Sequence, residues 1–133
     1  KVANLMKNQG GGNIINISSV TGFRGTFESV QPAVAYNSSK AAVNLLTMNL
    51  AVKLAPCKIR VNAIVPGYFR TDMMAYIDLP EYKAAKDLVL AFIPAGRGGD
   101  IDDMKGVAVF LASDASAFIT GAFLFVDGGQ LAH

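Results

Sequence analysis

The sequence predicts an α/β fold in which a parallel sheet is covered by helices on both faces. Short apolar segments alternate with helical segments, and the three predicted strands are apolar at consecutive positions, which is typical of parallel strands buried between helices. No internal repeat or linker divides the chain. Its 133 residues fit one domain of ordinary size, so residues 1–133 are predicted to form a single α/β unit.

Glycine and proline mark the ends of the elements predicted in the first half of the chain. A helix over residues 1–9 stops at Gly10–Gly12, and a buried strand follows at Asn13–Ser18. A polar stretch then leads to a helix over Ala35–Leu54, which contains neither glycine nor proline and is terminated by Pro56.

This long helix is apolar on more than one side. One apolar stripe contains Val43, Leu46 and Leu50, whereas Leu45, Met48 and Val52 lie elsewhere around the helix. Because a helix on the surface of a monomer usually has a single apolar stripe, two interpretations remain open. The helix is buried on all sides in the core, or a second face packs against another subunit.

The second half of the chain continues the alternation of strands and helices. Asp100 is placed to cap a helix, with two further acidic residues in its first turn. The elements predicted here, in order, are a strand at Lys58–Val65 closed by Pro66–Gly67, turns with a helix around Glu81–Phe92, a helix over Asp100–Ala112, and a strand at Ala122–Val126.

The composition excludes several classes of protein. The chain is 52% hydrophobic and 17% charged with a net charge of +2, which excludes a disordered chain and offers no electrostatic footprint for nucleic acid or an anionic membrane. No apolar run approaches the roughly 20 residues of a membrane span, and the opening residues do not resemble a secretory signal. A single cysteine, Cys57, and a single histidine, His133, argue against disulfides, zinc clusters and a Ser–His–Asp hydrolase. We therefore expect no metal, no nucleic acid and no membrane partner, and a reducing cytoplasmic compartment.

Tyr36 and Lys40 are the first candidates for chemistry. Their spacing of four residues places both side chains on one face of the long helix. An ammonium beside a phenol stabilises the phenolate and so lowers the pKa of a tyrosine, which allows general acid–base work on an alcohol or carbonyl oxygen. Taken alone the pair is weak evidence, because most such pairs lie on solvated helix faces.

The surrounding segments strengthen this interpretation. The strand before the helix delivers Ser18 and Ser19 to its carboxyl end, which is where ligands bind in open α/β sheets. The next strand ends in Pro66–Gly67, where a glycine would let a planar ligand approach the backbone closely. Serine, tyrosine and lysine are thus predicted to meet at one edge of the sheet.

At this point the chain resembles the classical short-chain dehydrogenase/reductase family, and it matches the C-terminal, catalytic half of that family's Rossmann-like, doubly wound parallel sheet. The matching residues occur in the expected order over nearly the whole chain. They are Asn16–Ser19 with Gly22, Tyr36 with Lys40–Ala42, Arg60–Ile64 with Pro66, Gly67 and Thr71, and Gly121 with Val126–Gly129.

The resemblance implies an oxidoreductase that uses NAD or NADP and interconverts a secondary alcohol and a ketone. Tyr36 would be the general acid or base and would also contact the cofactor, and Lys40 would lower the tyrosine pKa and bind the nicotinamide ribose. Ser19 would polarise the substrate carbonyl, while Ser18 and Asn62 would be structural. The residues implied to line the nicotinamide are Pro66, Gly67, Phe69 and Thr71. The substrate would be a small alcohol or ketone, similar to those of 3-oxoacyl-thioester reductases or of sugar and polyol dehydrogenases. The family also pairs the Tyr36 helix and the last strand across subunits, which implies a homodimer or homotetramer.

The sequence departs from the family in two ways. The interval between Ser19 and Tyr36 is longer than expected, with extra residues at Phe27–Pro32. The glycine-rich dinucleotide fingerprint of the N-terminal half is absent, and Gly10–Gly12 cannot replace it, because these glycines follow a helix and precede a strand. An alternative hypothesis is therefore a non-catalytic module that associates with itself or with a partner chain through an unpaired sheet edge.

Overall fold

A computed structural model describes residues 1–26 and 33–132 and contains a parallel three-stranded sheet. Its strands are β1 (Gly12–Ile17), β2 (Ile59–Pro66) and β3 (Phe123–Val126), in the order β1-β2-β3. Ile17 lies beside Ile64, and Pro66 lies beside Val126, so the carboxyl ends of all three strands reach the same edge. The predicted parallel α/β sheet is confirmed. His133 and the predicted extra segment Phe27–Pro32 lie outside the described residues.

The helices occupy the predicted positions with small shifts at their ends. They are α1 (Val2–Asn8), α2 (Val34–Leu54), α3 (Lys83–Ala91) and α4 (Ile101–Ala112). The α3 helix begins two residues later than expected, because Pro80–Tyr82 forms a separate 3₁₀ turn. Within the described ranges, no helix is both long enough and apolar enough to cross a membrane.

Successive side chains of a strand point to opposite faces of the sheet, and helices cover both of these faces. Ile59 and Val61 of β2 form a core with Ala51 and Leu54 of α2, and residues of α1 pack against the same cluster. Arg60, between the two core residues, points to the opposite face. There its guanidinium donates to the carbonyls of Leu111 (3.0 Å) and Ser113 (3.1 Å) at the end of α4.

The strands are not buried equally. Residues 59, 61 and 63–65 of β2 are buried, whereas β1 is only half-buried and Ile17 is 50% exposed. The prediction of a fully buried first strand is therefore wrong for this chain. Its physical reason is that, among the described residues, β1 has a single neighbouring strand and forms one border of the sheet.

The α2 helix presents small and polar side chains to the sheet and apolar side chains to the outside. Its buried residues are Asn44, Thr47, Ala51 and Leu54. Its exposed apolar residues are Val34, Leu45, Leu46, Met48 and Val52. A helix buried on all sides is therefore excluded for this chain. We call the exposed set Leu45, Leu46, Met48 and Val52 the outer face of α2.

Asn62 fastens β2 to the segment that leads into β3. The residue is fully buried, its Nδ2 donates to the carbonyl of Ile119 (2.9 Å), and its Oδ1 accepts from the N–H of Ala122 (3.0 Å). Both halves of the side-chain amide are thus used to hold a chain segment that lies beside the strand. These contacts agree with the structural role that the resemblance implies.

We expect Asn62→Ala to destabilise the fold by about 1–3 kcal/mol, because it removes both hydrogen bonds of the buried amide and leaves the Ala122 N–H without its partner. Urea unfolding followed by circular dichroism measures the change. Asn49→Ala, at an exposed asparagine of α2, is the matched control and should shift stability by less than about 0.5 kcal/mol. Equal effects of the two substitutions would contradict the role given to Asn62.

Candidate active site

Tyr36 and Lys40 lie one turn apart at the start of α2. The Lys40 Nζ is 5.5 Å from the centre of the Tyr36 ring. The same ammonium donates to the carbonyl of Ile17, the last residue of β1, over 3.0 Å. Tyr36 is 39% exposed, so its ring is accessible at this edge. The structure thus brings the predicted pair to the carboxyl end of β1.

Ser19 begins a short 3₁₀ turn over Val20–Gly22 that immediately follows the strand. Its Oγ accepts from the N–H of Thr21 (3.3 Å) and from the Thr21 hydroxyl (3.0 Å), and the residue is 8% exposed. Ser18 is turned inward instead. Its hydroxyl donates to Asn44 Oδ1 and lies 3.4 Å from the Lys40 carbonyl, which agrees with a structural role.

The serine turn and α2 are in direct backbone contact at Gly22. A Cβ at this position would lie 2.8 Å from the Lys40 carbonyl carbon and 3.0 Å from the Ala41 nitrogen. Asn44 closes the contact, because its Nδ2 donates to the Gly22 carbonyl over 3.0 Å while its Oδ1 accepts from Ser18. The position of the serine turn is therefore fixed against the helix turn that carries Lys40.

In the segment after β2, the backbone N–H and C=O of Phe69 point away from the strand-like pairing with Gly99. The N–H of Arg70 donates to Gly99 (3.0 Å), and the N–H of Gly99 donates to Tyr68 (2.9 Å), so Phe69 pairs with Gly99 in a parallel bridge. In such a bridge the N–H and C=O of the central residue point away from its partner. Within the described part of the chain, the backbone groups of Phe69 make no hydrogen bond.

Three glycines allow this segment to lie where it does. A Cβ on Gly99 would meet the Phe69 ring at 2.7 Å, and one on Gly98 would meet the Tyr68 ring at 2.6 Å. A Cβ on Gly67 would meet Gln130 Oε1 at 2.7 Å and the Asp127 Cα at 2.8 Å. A side chain at Gly67 would therefore collide with the chain itself, and the closer approach of a planar ligand to this backbone stays a prediction.

Gln130 braces the same segment from the side of β3. Its Oε1 accepts from the N–H of Tyr68 (3.3 Å), and its backbone carbonyl lies 3.4 Å from Arg24 Nη1. Asp127 shapes the turn that presents Gln130, because its carboxylate accepts from the N–H groups of Gly129 and Leu131, both at 2.9 Å.

Two Arg–Asp pairs lie next to this segment. Arg97 forms a two-pronged pair with Asp103 (2.7 and 2.9 Å), and Arg70 pairs in the same way with Asp100. The Arg97 guanidinium, helped by the backbone N–H of Asp100, holds the pKa of Asp103 well below its usual range. The Arg70–Asp100 pair connects the segment after β2 to the N-cap of α4, whereas the Arg97–Asp103 pair joins the residues just before α4 to its first turn.

A cavity of about 350 Å³ opens between the segment after β2 and the turn after β3. Phe69, Arg97 and Asp127 are among its lining residues, and Tyr68 contributes to its wall. Burial raises the pKa of Tyr68, and the Asp78 carboxylate adds to the increase.

Of the predicted nicotinamide-lining residues, Phe69 borders this cavity, whereas Pro66 ends β2 and Thr71 is exposed at the start of the next 3₁₀ turn.

Sequence reasoning singled out the candidate reactive side chains but missed several residues that hold the surrounding segments. Thr21 bonds to the predicted Ser19 directly. Asn44 bonds to the Gly22 carbonyl, and Gln130 bonds to Tyr68, so these two hold residues that neighbour the predicted ones. Asn44 could have been found, since it lies four residues after Lys40 on the same helix face. Gln130 gave no signal, because its contact with Tyr68 spans 62 positions along the chain.

A family model described as enoyl-(acyl carrier protein) reductase matches residues 1–130. With the ordered motifs and the site geometry, this match places the chain in the short-chain dehydrogenase/reductase family, to which it belongs. The expected relationship is confirmed.

Curated relatives and solved structures agree with this assignment. The 3alpha-hydroxysteroid dehydrogenase of Mediterraneibacter gnavus is 46% identical over 127 residues, which cover 95% of this chain and 47% of that protein. The 5-keto-D-gluconate 5-reductase of Escherichia coli (strain K12) is 43% identical over 120 residues, covering 90% and 45%. A gluconate 5-dehydrogenase from Burkholderia cenocepacia J2315, solved in complex with NADP and tartrate, matches with a TM-score of 0.89 at 37% identity, covering 99% and 49%. The chain thus spans about half the length of the relatives it matches.

The residues present fit a nicotinamide cofactor at this edge. The carboxamide of nicotinamide offers both a donor and an acceptor, and the Phe69 backbone amide presents the complementary pair without a partner among the described residues. The Lys40 ammonium has three N–H donors, of which one is used by Ile17, so it retains capacity for ribose hydroxyls.

We expect Gly22→Ala to destabilise the protein by about 1–3 kcal/mol, because the new methyl group would force the serine turn away from the α2 backbone. Chemical unfolding measures this cost. Gly25→Ala, three residues further along the chain, is the matched control, since nothing lies within 4 Å of a Cβ there. If Gly22→Ala were as stable as Gly25→Ala, the close contact would not constrain the turn.

Proposed function

We propose that this chain forms the catalytic half of an NAD(P)-dependent oxidoreductase that interconverts a secondary alcohol and a ketone. One observation carries the proposal. The backbone contact of Gly22 with Lys40 brings the Ser19 turn against the helix turn that bears the Tyr36–Lys40 pair. A hydroxyl, a phenol and an ammonium are thus carried by two adjoining segments at the carboxyl edge of a parallel sheet, where ligands of such sheets bind.

The three side chains have separate tasks. In the direction of reduction, the Tyr36 phenol donates its proton to the substrate oxygen, and in the reverse direction its phenolate accepts that proton. The Lys40 ammonium, 5.5 Å from the ring centre, stabilises the negative charge on the tyrosine oxygen. The Ser19 hydroxyl donates a hydrogen bond to the same substrate oxygen, which polarises the carbonyl and holds it in place.

The cofactor proposed is NAD or NADP, which supplies the hydride to the carbonyl carbon during reduction and accepts it during oxidation. The Phe69 backbone amide would hold the carboxamide, and Lys40 would hold the ribose hydroxyls. Pro66, Gly67 and Thr71 would complete the wall around the nicotinamide. The NADP bound to the Burkholderia cenocepacia gluconate 5-dehydrogenase supports this assignment by similarity.

The substrate proposed is a small molecule with a secondary hydroxyl or ketone group. Of the two substrate classes that the sequence suggests, sugar and polyol derivatives gain support from the similarity to the 5-keto-D-gluconate 5-reductase of Escherichia coli. The similarity to a 3alpha-hydroxysteroid dehydrogenase supports the same reaction on a different carbon skeleton. For the compartment we propose the cytoplasm, because the single cysteine, Cys57, is a free thiol.

In the complete gene product, we expect Tyr36→Phe to lower kcat by at least about 100-fold, because the proton donor is lost. Cofactor binding should persist in this variant, since the ribose and carboxamide contacts remain. Lys40→Met should weaken both turnover and cofactor binding. Turnover is followed by nicotinamide absorbance with 5-keto-D-gluconate and a 3α-hydroxysteroid, and cofactor binding by fluorescence titration.

Lys53→Met is the matched control, because Lys53 lies in the last turn of the same helix, far from the site. It should behave as the unmodified protein does. Undiminished turnover in Tyr36→Phe would contradict the mechanism. Absence of both turnover and cofactor binding in the unmodified protein would favour the non-catalytic module instead.

We further propose that the protein forms a homodimer or homotetramer through the outer face of α2. Leu45 is 59% exposed, Met48 43% and Val52 77%, and the three lie on neighbouring turns of one helix. A contiguous apolar surface of this kind on a helix marks a protein–protein contact. A second copy is the expected partner, because the family pairs this helix across subunits.

The double variant Leu45→Asp/Val52→Asp should dissociate the assembly, because it places charges in an apolar contact. Sedimentation velocity measures the shift toward monomer. Leu88→Asp, at an exposed leucine of α3, is the control that should leave assembly unchanged. Retention of the assembly by the double variant would place the interface elsewhere.

A further inference from the structure

We propose that Thr21 is a positioning residue that fixes the Ser19 hydroxyl so that its hydrogen is directed to the substrate oxygen. The proposal rests on the function proposed above and deepens it. Thr21 belongs neither to the reactive set (Ser19, Tyr36 and Lys40) nor to the residues proposed to line the nicotinamide.

The contacts of Ser19 leave one direction for its own hydrogen. A serine hydroxyl has one donor and two acceptor positions. In the described structure the Ser19 Oγ accepts from the Thr21 N–H (3.3 Å) and from the Thr21 hydroxyl (3.0 Å), so both acceptor positions are filled by the same residue. The O–H of Ser19 donates to no group among the described residues and is available to a ligand.

The turn that carries Thr21 is held by the two residues that follow it. Thr21 is 7% exposed, and the next residue, Gly22, lies against the α2 backbone. After Gly22, the Phe23 ring packs edge-on against Phe123 (5.2 Å between ring centres) and Phe125 (5.1 Å) of β3. The Thr21 side chain therefore has a fixed place relative to Ser19.

This geometry has a chemical consequence. A hydroxyl that accepts a hydrogen bond becomes a stronger donor, because consecutive hydrogen bonds polarise one another. The chain would run from Thr21 to Ser19 and on to the carbonyl oxygen that Tyr36 protonates. Thr21 transfers no proton in this arrangement; it orients and polarises the serine.

Two substitutions separate this role from packing. Thr21→Val keeps the shape of the side chain and loses the hydroxyl, whereas Thr21→Ser keeps the hydroxyl and loses a buried methyl group. We expect Thr21→Val to lower kcat by roughly two- to tenfold, which corresponds to the loss of one neutral hydrogen bond. Thr21→Ser should retain most of kcat, and the cofactor Kd should stay unchanged in both variants. The probe is whichever of 5-keto-D-gluconate and the 3α-hydroxysteroid the unmodified complete gene product turns over.

Thr120→Val is the matched control. The Thr120 hydroxyl accepts from the Val61 N–H (3.1 Å), so its loss should lower stability without changing kcat per folded molecule. A kcat that is lower in Thr21→Ser than in Thr21→Val would show a packing role and overturn the proposal, as would an unchanged kcat in Thr21→Val. An unmodified protein that turns over neither substrate and binds no NADH or NADPH would instead overturn the proposed function itself.

Discussion

The close contact between Gly22 and the backbone of α2 is the constraint on which the site depends. It sets the separation between the strand end that carries Ser19 and the helix that carries Tyr36 and Lys40. Asn44 reinforces it by bonding to Ser18 and to the Gly22 carbonyl at once. This contact depends on the absence of a side chain at Gly22 and on two hydrogen bonds of Asn44. Its geometry therefore tolerates little adjustment. The relative positions of the candidate reactive side chains therefore depend on the distance between these two backbone segments.

The sequence predicted the elements well and singled out the candidate reactive residues, because both rest on local patterns. Apolar runs, glycine stops and the four-residue spacing of Tyr36 and Lys40 are all visible within short windows. Burial was predicted less well. The half-buried state of β1 depends on how many strands flank it, and the outward orientation of Leu45, Met48 and Val52 depends on which side of α2 meets the sheet. Neither property is a local one.

The segment after β2 shows what local patterns cannot supply. Its Phe69 amide is presented by contacts that come from distant segments, namely Gly99 on one side and Gln130 on the other. The Pro66–Gly67 pair was noticed in the sequence, yet the reason for Gly67 lies in its contact with Asp127 and Gln130 of the chain. A backbone amide that binds a ligand can belong to any residue type, so the sequence does not reveal it. The contacts that orient this amide are known only from the fold.

The inner face of α2 has a consequence for how the protein can diverge. Asn44, Thr47 and Ala51 are small or hydrogen-bonded and lie directly on the sheet, so enlarging any of them displaces the helix that bears the reactive pair. The outer face carries no such restriction within the chain. Substitutions can accumulate there as long as the surface that covers it changes in step. One side of this helix is therefore constrained by its packing on the sheet, whereas the other side is constrained only by the surface that covers it.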